Sequence, residues 1–92
     1  MPVHNADIAA VFAEIADLLE IEGGNPFRVR AYRNAARMIG ELPRDVATVL
    51  ERGEELPKLP GIGSDLAGKL KEIAATGSCK LLQQLHRELP PA

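Results

Sequence analysis

A chain of 92 residues makes one small domain, too short to hold a catalytic domain beside a binding domain. It is 46% hydrophobic but 3% aromatic and without Trp, so its core is expected from Leu, Ile, Val and Ala on helices, as an all-α bundle of about four to five helices. The net charge of −2 excludes a uniformly basic surface, so any DNA affinity must come from a local patch and be weak and salt-sensitive, and the single cysteine, Cys79, excludes an internal disulfide. Neither a signal sequence nor an apolar stretch of membrane-spanning length is read, so a cytoplasmic location with no membrane partner is expected.

Asn5 is placed to cap a first helix in which Ile8, Val11, Phe12, Ile15, Leu18 and Leu19 recur at helical spacing and form one inward stripe. Its outer face carries Glu14, Asp17, Glu20 and Glu22 and is expected to point away from any DNA. Gly23-Gly24-Asn25-Pro26 ends that helix. A second helix is predicted over about Phe27 to Ile39, with Val29, Tyr32, Ala36 and Ile39 inside and Gly40 and Pro43 marking its end. A short third helix from about Arg44 to Arg52 turns Val46, Val49 and Leu50 inward, and Glu54 to Pro57 add one further turn. A fourth helix places Leu66, Leu70 and Ile73 on one face, with Ala67 and Ala74 beside them, and stops at Gly77. Ser78 caps a last helix carrying Leu81, Leu82, Leu85 and Leu89.

The run Leu59-Pro60-Gly61-Ile62-Gly63-Ser64 joins the third and fourth helices. Pro60 cannot extend a helix, while Gly61 and Gly63 permit positive φ and leave backbone amides uncovered by any Cβ. The amides of residues 61 to 65 can converge on one anion. Ser64 as N-cap would aim the positive end of the following helix at the same point. This is the helix-hairpin-helix pattern, which grips a nucleic-acid backbone without reading sequence. The run lacks the third glycine of a dinucleotide fingerprint and the Lys-Ser/Thr ending of a P-loop; a tight connection between helices is the alternative reading.

The second helix concentrates positive charge. Arg30, Arg33 and Arg37 share one face, Arg28 lies on the opposite flank of the apolar stripe, and no acid interrupts Phe27 to Gly40 although acids outnumber bases 13 to 11 in the chain. A solvated face paired with glutamates is the ordinary reading of such a run. Its segregation favours phosphate, which Arg binds in a fork.

The segment Asn25-Pro26-Phe27-Arg28-Val29-Arg30-Ala31-Tyr32-Arg33, then Ala35-Ala36-Arg37, then Leu59-Pro60-Gly61-Ile62-Gly63, resembles the amino-terminal domain of family X DNA polymerases, in the form of its bacterial branch. The resemblance runs from the first helix to Leu89, so residues 1–92 are read as one helix-hairpin-helix DNA-binding domain. It implies a helical module of DNA repair that holds the downstream side of gapped DNA by its 5′-phosphate. In some relatives the module also removes a 5′-deoxyribose phosphate by β-elimination through a lysine Schiff base.

By that resemblance Lys69 takes the position of the Schiff-base lysine, Tyr32 that of a pocket tyrosine, Arg28 that of a phosphate-binding lysine with the charge kept, and Arg33 that of a basic residue of the same helix. The carbonyls of Leu59 and Ile62 correspond to a monovalent-cation site for Na⁺ or K⁺, with no other cofactor required. Phe27 stands where vertebrate relatives have a histidine, Asp65 and Leu81 where they have lysines, and Gly68 where they have a glutamate. These departures weaken the lyase reading more than the binding reading. Glu88-Leu89-Pro90-Pro91-Ala92 resembles the stretch leading into further domains of longer relatives, so polymerase domains of a parent chain are one expected partner beside DNA.

A Schiff-base lysine must be neutral to attack an aldehyde. Lys69 flanks the apolar face of its helix, which lowers its pKa, whereas Asp65 at i−4 and Glu72 at i+3 can pair with it and raise the pKa. Tyr32 reads as a half-buried packing residue whose hydroxyl can reach a phosphate, and Cys79 as core filler. His4 and His86 are too isolated for a zinc site. Three functions stand: DNA binding by the hairpin and the arginine face (Arg28, Arg30, Tyr32, Arg33, Arg37, Gly61, Ile62, Gly63, Ser64), a lyase through Lys69, and a protein-interaction bundle. Nucleotidyl transfer by this chain is excluded, because the metal-binding polymerase palm needs far more residues.

Overall fold

The computed structural model describes residues 3–55, 59 and 61–88, which form five helices and no strand. They are α1 (Asn5–Ile21), α2 (Pro26–Gly40), α3 (Val46–Glu51), α4 (Ser64–Thr76) and α5 (Lys80–Glu88). α1 packs along α2 and touches α4 and α5, while α3 leans on α4. The stripe read from spacing explains this: Ile8, Phe12 and Ile15 are fully buried and Leu19 nearly so. Burying each such side chain is worth roughly 1.5–3 kcal/mol, and the facing residues Ile39, Leu70, Ile73, Leu82 and Leu85 close the same core.

α1 begins one residue earlier in register than expected, with His4 as N-cap. The His4 amide donates to Asp7 Oδ2 at 3.0 Å. Asn5 is buried and serves a distant helix instead. Its Nδ2 donates to the Arg44 carbonyl at 2.7 Å, and its Oδ1 accepts the Val46 amide at 2.8 Å. That pairing holds Asp45 extended, so α3 starts at Val46 rather than at Arg44.

Within α2 the buried alanine is Ala35, and Ala36 is only partly covered. Ala35 completes the ridge Val29, Tyr32, Ala35, Ile39 against α1, a set spaced three to four residues apart. In α3 the inward residues are Val46, Ala47 and Val49, with Leu50 at the margin. Glu54 and Glu55 belong to no helix, and the rest of the turn expected there lies outside the described residues, as do Pro60 and Leu89. Gly77 ends α4 with φ of 83°, its amide donating to the Ile73 carbonyl at 2.7 Å. The cap expected from Ser78 comes from α4: Glu72 Oε2 accepts the Lys80 amide at 3.0 Å. Cys79 is a free thiol buried in the core.

Candidate nucleic-acid interface

The hairpin forms a tight turn. The Ile62 amide donates to the Leu59 carbonyl at 3.1 Å, and Gly61 has φ of 81°, the combination a type II turn requires at its third residue. Gly63 is different: it is extended, with φ of −84° and ψ of −176°, and is itself the N-cap of α4. Ser64 is therefore the first helical residue and makes no side-chain cap, one position from its expected role. The ladder of α4 opens with the Ala67 amide donating to the Gly63 carbonyl at 2.9 Å. The Ser64, Asp65 and Leu66 amides precede that bond and have no ladder partner. Ile62 leaves the expected amide cluster, because its N–H is spent inside the turn.

The glycines leave this end bare. A Cβ built at Gly61 or at Gly63 would meet nothing within 4 Å among the described residues, so packing against them requires neither glycine. At Gly61 the positive φ demands glycine. At Gly63 the extended backbone accepts any residue.

Beside the hairpin, α2 and α4 bring four side chains together. Lys69 Nζ donates to Asp65 Oδ1 at 2.8 Å, with the lysine side chain 19% exposed and the aspartate 79%. Tyr32 is fully buried rather than half-buried, tilted against Phe12 with ring centroids 5.8 Å apart. Its hydroxyl has no partner at hydrogen-bond distance among the described residues, and Lys69 is the polar neighbour on whose ammonium it acts. Arg28 Cζ stands 5.9 Å from the centre of the Tyr32 ring and its charge reaches Asp65. Burial pushes the Lys69 pKa down, but the Asp65 carboxylate and Tyr32 outweigh it, and the net shift is upward. The Lys69 hydrogen bond and charge, aided by Arg28, outweigh burial and hold Asp65 below its ordinary value. The resting site thus contains an ammonium facing a carboxylate, and Glu72, committed to Lys80, is a cap rather than a second partner.

The other arginines stand elsewhere. Arg33 is bound to Glu20 and, at 3.0 Å, to Asp17, both on α1. Glu20 foremost, then Asp17, raises its guanidinium pKa. The segregation of arginine along α2 is not segregation in space, because α1 supplies the acids. Arg30 and Arg33 line a cavity of about 370 Å³ with Glu20, Gly24, Pro26 and Val29, whereas Arg28 lies at Tyr32. Arg37 is exposed one turn beyond Arg33. Sequence reasoning gave no role to Phe27, which is 77% exposed next to Arg28. Its signal was an aromatic just inside the N-terminus of a helix, where the apolar stripe had not yet begun.

His4 and His86 sit beside single carboxylates, Asp45 at 3.2 Å and Glu14 at 3.0 Å. Among the described residues no three of His, Cys, Asp or Glu gather as metal ligands, and no helix is long and apolar enough to cross a membrane.

Comparison with known proteins agrees with this geometry. A family model described as a helix-hairpin-helix domain matches residues 3–79. The chain is also similar to DNA polymerase/3'-5' exonuclease PolX of Bacillus subtilis (strain 168), at 31% identity over 88 residues. That alignment takes in 96% of this chain and 15% of the relative, so the chain spans a small part of the protein it matches. The likeness to family X polymerases read from the motifs therefore holds, and the chain belongs to the helix-hairpin-helix domain family.

Proposed function

We propose that this domain binds DNA through its backbone, holding the 5′-phosphate of a gap or end at the N-terminus of α4, as a repair module of a family X polymerase or a free-standing relative. The observation that carries the reading is the set of three amides, Ser64, Asp65 and Leu66, outside the helical ladder and beside a hairpin whose Gly61 and Gly63 carry no side chain. Lys69 and Arg28 add charge at the same end, and Arg30, in the cavity it shares with Arg33 and Glu20, and Arg37 supply further positive charge elsewhere on α2. The exposed Phe27 ring suits stacking on an unpaired base at the gap. Family membership and the likeness to PolX support DNA as the ligand.

A Na⁺ or K⁺ ion at the hairpin fits the donors present. The Leu59 carbonyl keeps a lone pair after accepting the Ile62 amide, and the Ile62 carbonyl lies outside the α4 ladder. Such an ion would offset phosphate charge between protein and DNA.

A lyase is the second reading, favoured by the burial of Lys69 beside the Tyr32 hydroxyl. It requires that Lys69 lose its proton and its hold on Asp65 before attacking an aldehyde.

Fluorescence anisotropy on a gapped duplex with a 5′-phosphate, run beside the Gly63→Val variant, tests the binding reading. Binding by the native domain and its loss in the variant, with helical circular dichroism retained, is expected. Equal binding by both would dismiss the hairpin as the grip, and binding by neither would favour a protein-interaction bundle.

A further inference from the structure

The end of α4 that offers its amides to a phosphate also carries a fixed anion of its own. Asp65 lies in the first turn, 79% exposed, with its carboxylate 2.8 Å from Lys69 Nζ and within the field of Arg28. An acid in that turn draws on the same helix field that attracts an external anion. The lysine and arginine that would neutralise a phosphate are thus already facing a carboxylate. The Tyr32 hydroxyl, buried beside Lys69 and without a partner at hydrogen-bond distance among the described residues, is a polar group that Asp65 does not satisfy. A phosphate is larger and carries more acceptor oxygens than a carboxylate, so it can meet Lys69 and the α4 amides together.

We propose that Asp65 is an internal competitor for phosphate, a specificity residue that must release Lys69 before a 5′-phosphate seats. The inference rests on the phosphate-binding reading above. It makes the grip weaker than its donors alone would give, and it concentrates that weakening on ligands whose charge sits at Lys69. A 5′-hydroxyl end places no dianion there and gains less when Asp65 is neutralised.

The test compares native protein, Asp65→Asn and Glu14→Gln on gapped duplexes with a 5′-phosphate or a 5′-hydroxyl, at low salt. Glu14→Gln removes the same charge from the side of α1 that faces α5, where Glu14 meets His86. Asp65→Asn is expected to tighten binding of the 5′-phosphorylated duplex roughly tenfold. It should also raise the ratio of 5′-phosphate to 5′-hydroxyl affinity, while Glu14→Gln moves both ends slightly and alike. Unchanged or weaker binding by Asp65→Asn, with the native domain binding normally, overturns the competitor role and leaves the hairpin grip standing. No preference for the phosphorylated end in either the native domain or Asp65→Asn overturns both.

Discussion

Glu72 Oε2 accepts the Lys80 amide at 3.0 Å, so a side chain near the end of α4 caps the start of α5 across the Gly77 turn. The same bond removes Glu72 from Lys69, leaving Asp65 as the carboxylate that sets the charge of that lysine. Replacing Glu72 by Ala should cost about 1 kcal/mol of stability, the usual loss for a helix cap, without changing DNA affinity. Denaturant melts and anisotropy on the same samples check both halves.

Asn5 ties the start of α1 to the start of α3 by two hydrogen bonds, one given and one received. Asn5→Ala leaves the Val46 amide and the Arg44 carbonyl without that partner in a buried setting, an expected loss of roughly 1–3 kcal/mol. A melting midpoint within a degree of the native value would show that solvent replaces it.

Arg28 and Arg33 should separate in salt titrations. Arg28→Ala is expected to flatten the slope of log affinity against log salt by about one phosphate contact. Arg33, held by Asp17 and Glu20, should change the slope by less when replaced by Ala. Equal slopes for the two variants would mean that DNA draws Arg33 away from α1.

Titration of Lys69 tests the site's electrostatics. Its raised pKa means that its contribution to folding is present below the ordinary lysine value near 10.4 and lost as pH climbs through the folded value. Asp65, depressed, contributes above its ordinary value near 3.9 and loses that contribution as pH falls through the folded value. Across neutral pH the pair is constant. In Asp65→Asn the burial of Lys69 remains but its partner's charge is gone, so the Lys69 pKa, read from its side-chain carbon and nitrogen shifts, should drop below that of the native protein.

Phe27 is exposed, so Phe27→Ala should leave stability within about 0.5 kcal/mol. If the ring stacks on an unpaired base, the same variant weakens binding to gapped DNA by roughly 1–3 kcal/mol and binding to fully paired duplex much less. Equal losses on both would place the ring against the duplex backbone.

The five helices were legible because each has an apolar stripe of helical period bounded by Gly or Pro, and the hairpin because glycine and proline are rare enough in such a run to mark a turn. What escaped was set by contacts distant in the chain. Asn5 has the residue type of an N-cap and stands at a helix start, yet residues 44 and 46 claim it. The arginines of α2 are free of acids along the chain, yet α1 brings Asp17 and Glu20 to Arg33. Ser64 and Gly63 differ by one position, and the choice of Gly63 as cap follows from where the turn after Leu59 leaves the backbone. The depth of Tyr32 depends on Phe12, a residue of another helix.

The amides at the start of α4 report a phosphate grip most directly. Amide proton and nitrogen shifts, followed while 5′-phosphorylated gapped DNA is added to the isotopically labelled domain, read them one by one. The largest changes should fall on Ser64, Asp65 and Leu66, with Gly63 alongside and the outer face of α5 unmoved. Changes concentrated on α5 or α3, with those three amides still, would contradict a phosphate grip at the hairpin.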